Sequence, residues 1–119
     1  MKLLCYLQVC AKEEIKFEGG YSDLFRQNGF LIFEADNHSD GYLMEQGKVL
    51  IEQSNTLLLH IEGSAKEDLG NLKLLFEQLR KHKIEFLYQI EGRHKKLEQM
   101  LNFLKTGRKV ELGSYFKSN

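Results

Sequence analysis

The chain has 119 residues, 42% of them hydrophobic and 29% charged, with no net charge at neutral pH. That make-up suits one folded domain over residues 1–119 and excludes a disordered or fibrous chain. No apolar run approaches the ~20 residues of a membrane span. The opening MKLLCYLQVCAKEE is interrupted by Gln8 and lacks an A-x-A cleavage site, so it reads as a first strand; two unpaired cysteines suit the expectation of a cytoplasmic protein with no membrane partner.

In chain order, KLLCYLQVC (2–10) alternates as a strand does, with Leu3, Cys5, Leu7 and Val9 on one side and Leu4, Tyr6, Gln8 and Cys10 on the other. EEIKFEGGYS (13–22) reads as a short strand ending at Gly19-Gly20, followed by one helical turn over 21–29 capped by Ser22. FLIFEA (30–35) is a strand and DNHSDG (36–41) a turn. YLMEQ and KVLIEQ, on either side of Gly47, read as a hairpin or one bulged strand.

The second half has a plainer pattern. TLLLHIE (56–62) is a strand, and residues 64–83 form a helix with Ala65, Leu69, Leu72, Leu75, Phe76 and Leu79 along one stripe. Leu74 falls nearly opposite that stripe and is expected at the surface or against a partner. IEFLYQI (84–90) is a strand, and residues 93–107 form a second amphipathic helix that stops at Gly107. KVELGSYF (109–116) reads as a last strand. The predicted fold is therefore α/β with α+β character: a two-layer mixed sheet, an antiparallel N-terminal half, then two βα crossover units with helices on one face.

Ile-Glu-Gly occurs twice, at 61–63 and 90–92. After the first copy, Ser64 and Glu67 match a capping box, so that copy reads as a structural helix start. After the second, Gly92 is followed by Arg93, His94, Lys95 and Lys96 with no acid in the turn. Cations there oppose the helix dipole, which makes the turn a candidate anion site; the plain alternative is a solvated helix start. When the two copies are aligned, His60, Glu62 and Glu91 fall on one sheet face, side by side if the strands pair directly. Paired carboxylates with a histidine can bind a metal or move a proton, and they form the best catalytic constellation the sequence offers. Solvated strand-end glutamates are the plain alternative.

Other motifs point less far. Asp36, His38 and Asp40 resemble half of a calcium loop but lack its last glutamate. Cys5 and Cys10 on one strand would stand about 16 Å apart, beyond the ~7 Å reach of a disulfide, and are expected to be free thiols. No zinc pattern and no nucleotide-binding glycine motif is present, so no metal or cofactor is assigned.

Charge is uneven: residues 1–64 hold 5 basic against 10 acidic side chains, and residues 65–119 hold 12 against 7. Arg80, Lys81, Lys83, Lys105, Arg108 and Lys109 end the two predicted helices and form a basic rim. The expected function is accordingly a non-enzymatic module that binds an acidic protein, such as an inhibitor, a regulator or a toxin-immunity protein. The alternatives are a small metal- or acid-base-dependent enzyme acting on a phosphate-bearing substrate, and nucleic-acid binding by the rim.

Overall fold

A computed structural model of the chain describes residues 1–17, 19–64 and 66–117. Five strands, β1 (Lys2–Val9), β2 (Leu31–Asp36), β3 (Thr56–Gly63), β4 (Phe86–Gly92) and β5 (Gly107–Lys109), form one sheet in the order β2-β1-β3-β4-β5. Every pairing among the described residues is parallel. Four α-helices connect them: α1 (Ser22–Gln27), α2 (Gly41–Gln53), α3 (Lys73–Lys81) and α4 (Lys95–Phe103).

The antiparallel N-terminal half expected from the sequence is thus overturned, and α2 is the main cause. Residues 42–53 are a helix, not a hairpin. Their apolar positions Leu43, Met44, Gly47, Leu50 and Ile51 follow helical spacing and are buried or half-buried. The strand-forming residues that disguise it face outward: Tyr42 is 75% exposed and Val49 51%. Gly47 is not a break in pairing. A Cβ there would lie 2.7 Å from Cζ of Phe33 and 3.1 Å from Cδ2 of Leu75, so glycine lets α2 settle against the sheet and α3. Asp40 starts the helix, its Oδ1 accepting from the Leu43 N–H at 2.9 Å. With a helix between β2 and β3, the return is a parallel crossover.

Handedness then divides the helices between two faces. The step from β1 to β2 runs one way across the sheet, and the steps to β3, β4 and β5 run the other way. Right-handed crossovers in opposite directions lie on opposite faces. Leu3, Cys5, Leu7 and Val9 of β1 pack with side chains of α2, α3 and α4, including Met44, Ile51, Phe76, Leu79, Leu97 and Leu101. Leu4 and Leu58 pack on the other side with Phe25 of α1, Phe30 and Leu112. The expected placement of helices on one face is corrected accordingly. That second cover is one six-residue helix plus the stretch around Leu112.

Other boundaries move as well. Residues 13–22 are not a strand: a 3-10 turn spans Lys12–Glu14 and a loop follows, in which Glu18 lies outside the described residues. Ser22 is the first residue of α1 and caps nothing; its buried hydroxyl has no hydrogen-bond partner among the described residues. The helix expected from Ser64 begins only at a 3-10 turn, Gly70–Leu72, entered without a side-chain cap. Gly70 has φ +56°, and a Cβ there would stand 2.0 Å from the Asn37 carbonyl oxygen, so a continuous helix through it is ruled out. The Ser64–Glu67 capping box does not form as a helix start, and Ala65 lies outside the described residues. Leu74 is half-buried and packs on the main core rather than standing free. After the three residues of β5, the chain turns through a 3-10 segment at Leu112–Ser114 instead of extending to 116.

Phe76, only 1% exposed, sits where α3 meets the sheet. Phe76→Ala is expected to cost ~3–5 kcal/mol in urea denaturation, the usual range for emptying an aromatic core position. A loss under ~1 kcal/mol would mean that α3 packs through another face.

Candidate functional site at the carboxyl ends of the central strands

Parallel register lines up the second-face side chains in two polar rows. One row runs Glu34–Tyr6–His60–Gln89 across β2, β1, β3 and β4. The next, one pleat nearer the carboxyl ends, runs Asp36–Gln8–Glu62–Glu91. The repeated Ile-Glu-Gly is what puts Glu62 beside Glu91 and Gly63 beside Gly92. The two glycines permit close contact: Gly92 has φ +79°, and a Cβ there would lie 2.1 Å from the Gly63 oxygen.

The rows are joined diagonally. The Tyr6 hydroxyl donates to Oε2 of Glu62. Nε2 of His60 stands 3.3 Å from Oε2 of Glu91, close enough for an ion pair but out of line for a hydrogen bond. Gln89 Nε2 donates to the other Glu91 oxygen at 2.9 Å, and Gln89 Oε1 accepts from Leu112 N–H at 2.7 Å. Burial and then the hydrogen bond to Glu62 raise Tyr6 above the ordinary tyrosine range, so it stays protonated and donates.

His60 is 1% exposed, and neither ring nitrogen has a hydrogen-bond partner among the described residues. Buried imidazoles ordinarily satisfy at least one nitrogen. The ring is held instead by its faces: stacked on Tyr6 at 4.9 Å between centroids and edge-on to Tyr21 at 5.0 Å. Gly20, with φ +62°, closes over it, and a Cβ there would fall 2.5 Å from Cε1 of the ring. The loop carrying Gly20 is pinned by the Gln8 amide, which donates to the Lys16 carbonyl at 2.7 Å and accepts from the Lys16 N–H at 2.9 Å.

Above the rows opens a cleft of about 260 Å³ lined by Gln8, Cys10, Glu14, Lys16, Glu62 and Glu91, among others. It lies outside the carboxyl ends of β1, β3 and β4. Strand order reverses direction between β1 and β3, the position where parallel α/β sheets bind ligands. Three acids face one lysine, whose Nζ is 4.0 Å from Oε1 of Glu62 and whose side chain is 67% exposed. Cys10 is a free thiol raised above its ordinary range, chiefly by burial and then by nearby carboxylates, which makes it a poor thiolate. Cys5 is free and fully buried, its thiol pushed up to about 12 by burial.

Of the residues singled out from the sequence, His60, Glu62 and Glu91 are brought together: one donor atom from each lies within 4.8 Å of the others. The Arg93–Lys96 turn is arranged differently. His94 is buried and is itself the cap of α4, its Nδ1 accepting from the Leu97 N–H at 3.3 Å and its Nε2 donating to the Glu67 carbonyl. Arg93, Lys95 and Lys96 are exposed, and only Gly92 of this group lines the cleft. Asp36, His38 and Asp40 are engaged locally: Asp36 accepts from the His38 N–H at 2.7 Å, His38 Nε2 meets the Cys10 carbonyl at 2.8 Å, and Asp40 caps α2.

The rim cations Arg80, Lys81, Lys83, Lys105, Arg108 and Lys109 are all exposed. Lys105 and Arg108 share a shallow depression with Glu85, whereas Arg80 borders a groove between α3 and α4 with Lys96. The sequence reading missed Gly20, Tyr21, Gln8 and Lys16 as parts of the site. The Gly-Gly-Tyr triplet was the visible signal, because adjacent glycines before an aromatic permit close backbone approach.

No protein-family model, curated protein or solved structure matches the chain. Among the described residues, no helix is long and apolar enough to cross a membrane.

Gly20→Ala is expected to destabilise the fold more than Gly29→Ala does. Both glycines have positive φ, a backbone cost of about 1–2 kcal/mol for alanine, but only position 20 meets the His60 ring, since nothing lies within 4 Å of a Cβ at 29. Equal losses in thermal denaturation would show that the loop does not seat on His60.

Proposed function

We propose that the chain is a ligand-handling α/β domain, whose cleft at the carboxyl ends of β1, β3 and β4 binds a small polar molecule and exchanges protons with it through Glu62 and Glu91, with His60 buried behind them. The observation that carries this is His60: a buried imidazole whose nitrogens make no hydrogen bond among the described residues, with Nε2 3.3 Å from Glu91, beside two aligned carboxylates at a sheet switch point. Imidazole and carboxylate are the common proton carriers of acid–base sites. Two more features support it. Tyr6 and Gln89 each hold one oxygen of a glutamate and so fix the direction of the other. The acidic lining favours a neutral or cationic ligand over a bare phosphate, because the Arg93–Lys96 cations lie outside the cleft.

The test is a thermal-shift screen in chelating buffer against small amines, amino acids, sugars and sugar phosphates. One class is expected to raise Tm, since a ligand that binds only the native state stabilises it, and Glu62→Gln with Glu91→Gln should abolish the shift. A panel that stays flat both in chelating buffer and with divalent ions added, or a shift that survives both substitutions, would refute the cleft as a working site.

A second function has its own support. The groove between α3 and α4, about 390 Å³, is lined by Phe76, Met100, Phe103 and Leu104, and Arg80 and Lys96 stand at its border with one acid, Glu77. Phe103 is 72% exposed there. Apolar side chains flanked by cations suit an acidic protein partner, as in an inhibitor, a regulator or an immunity protein. Capture from the native lysate is expected to yield a protein that is lost with Phe103→Ser and with Lys96→Glu; a capture profile indifferent to both would rule the groove out.

A further inference from the structure

We infer that His60, Glu62 and Glu91 form a divalent transition-metal centre, with His60 Nε2 and one oxygen from each glutamate as ligands and the remaining coordination positions open to the cleft. The inference rests on the cleft being a working site and names what the site holds; with the ion bound, the three side chains act as its ligands rather than as direct proton carriers.

The spacing is close to what an ion requires. Donors about 2.0–2.2 Å from zinc stand about 3.4 Å from one another in a tetrahedral site. His60 Nε2 and Glu91 Oε2 are already 3.3 Å apart, and all three donors lie within 4.8 Å. Small side-chain rotations bring the set to bonding distance, because Glu91 is 44% exposed and Glu62 25%.

Acid clusters alone do not make a metal site. The separate observation here is the imidazole. Its Nε2 faces the carboxylates while making no hydrogen bond among the described residues, although the residue is almost wholly buried. A buried nitrogen lone pair without a donor carries a desolvation cost that a cation relieves. The surroundings resemble a supporting shell. Tyr6 donates to Oε2 of Glu62 and Gln89 to Oε1 of Glu91, which leaves Glu91 Oε2 for the ion and Glu62 Oε1 facing only the exposed Lys16 ammonium, 4.0 Å away, which an ion would displace. The imidazole orientation, which metal sites usually fix through the far nitrogen, is fixed here by Tyr6, Tyr21 and Gly20.

Donor type narrows the ion. One imidazole and two carboxylates suit zinc, manganese, iron or cobalt, whereas calcium prefers an all-oxygen shell of six to eight ligands. Three protein ligands with an open position is also the pattern of metal sites that present a bound water to a substrate.

The experiment uses the full chain, stripped with chelator, dialysed and titrated with Zn²⁺ by calorimetry and with Co²⁺ by visible absorption. One ion per chain is expected, with a Co²⁺ ligand-field band that reports nitrogen–oxygen coordination. Glu62→Gln and Glu91→Gln should each weaken binding at least about tenfold, and the double variant should abolish the band. Glu98→Gln, on the exposed side of α4, should leave it unchanged. His60→Gln tests the nitrogen ligand, with circular dichroism confirming that the variant folds; if it does not, the two glutamate variants decide. Binding of equal strength in the double variant would put the ion on surface groups and overturn the proposal. Absence of binding to the folded wild-type chain would also overturn it, yet leave the ligand response in chelating buffer standing, so the two failures are distinguishable.

Discussion

The parallel register of β1 with β3 is the constraint on which the rest of the molecule depends. It sets Tyr6 against His60 and Gln8 against Glu62, and β4 then extends both rows to Gln89 and Glu91. A shift of one residue would reverse every side chain and drive the polar set into the apolar core beneath α2, α3 and α4. The apolar side therefore fixes the polar side. Leu3, Cys5, Leu7 and Val9 of β1 and Leu57, Leu59 and Ile61 of β3 are buried together, at ~25 cal/mol per Å² of apolar surface removed from water. No polar contact in the cleft has to supply that energy.

The cost of the arrangement is visible on the second face. Its cover is short, and what lies under the cover towards the carboxyl ends is polar: Tyr6, Gln8, His60 and Gln89 are buried or half-buried. Most of these groups are paired. Gln8 clamps Lys16 with both its amide nitrogen and its amide oxygen, and Gln89 joins Tyr21, Glu91 and Leu112. His60 is the exception: among the described residues its ring nitrogens make no hydrogen bond, and Nε2 only faces Glu91 at 3.3 Å. A core optimised only for stability would place an apolar residue there, since an unsatisfied buried polar group costs ~1–3 kcal/mol. Residues that break the packing rule in this way are where function is commonly found.

The repeated Ile-Glu-Gly has two parts with different work. The isoleucines face the apolar layer and the glycines let two backbones and α4 approach closely; a Cβ on Gly63 would meet His94 Cβ at 3.1 Å and Leu97 Cδ1 at 3.2 Å. The glutamates send their side chains into the cleft, which Gly63 and Gly92 line with backbone. His94, which looked like one cation of an anion site, holds the start of α4 and ties it to the Glu67 carbonyl. One sequence pattern thus builds the wall of the site and supplies its carboxylates.

The sequence by itself determined a single α/β unit, the strand assignments of β1, β2, β3 and β4 to within a few residues, the apolar stripes of α3 and α4, and the shared face of His60, Glu62 and Glu91. These follow from periodicity, which is local: side chains alternate along a strand and recur every three to four residues on a helix whatever surrounds them. Tertiary structure alone decided the identity of α2, the parallel pairing of β1 with β2 and β3, and the short cover on the second face. Gly47 reads as a break in isolation and becomes a contact only when Phe33 and Leu75 press on it. Burial of His60 was also beyond the sequence, because it depends on Tyr6, Tyr21 and Gly20, which lie 54, 39 and 40 residues earlier in the chain. Strand direction and burial are properties of neighbours distant in sequence, and no local pattern encodes them.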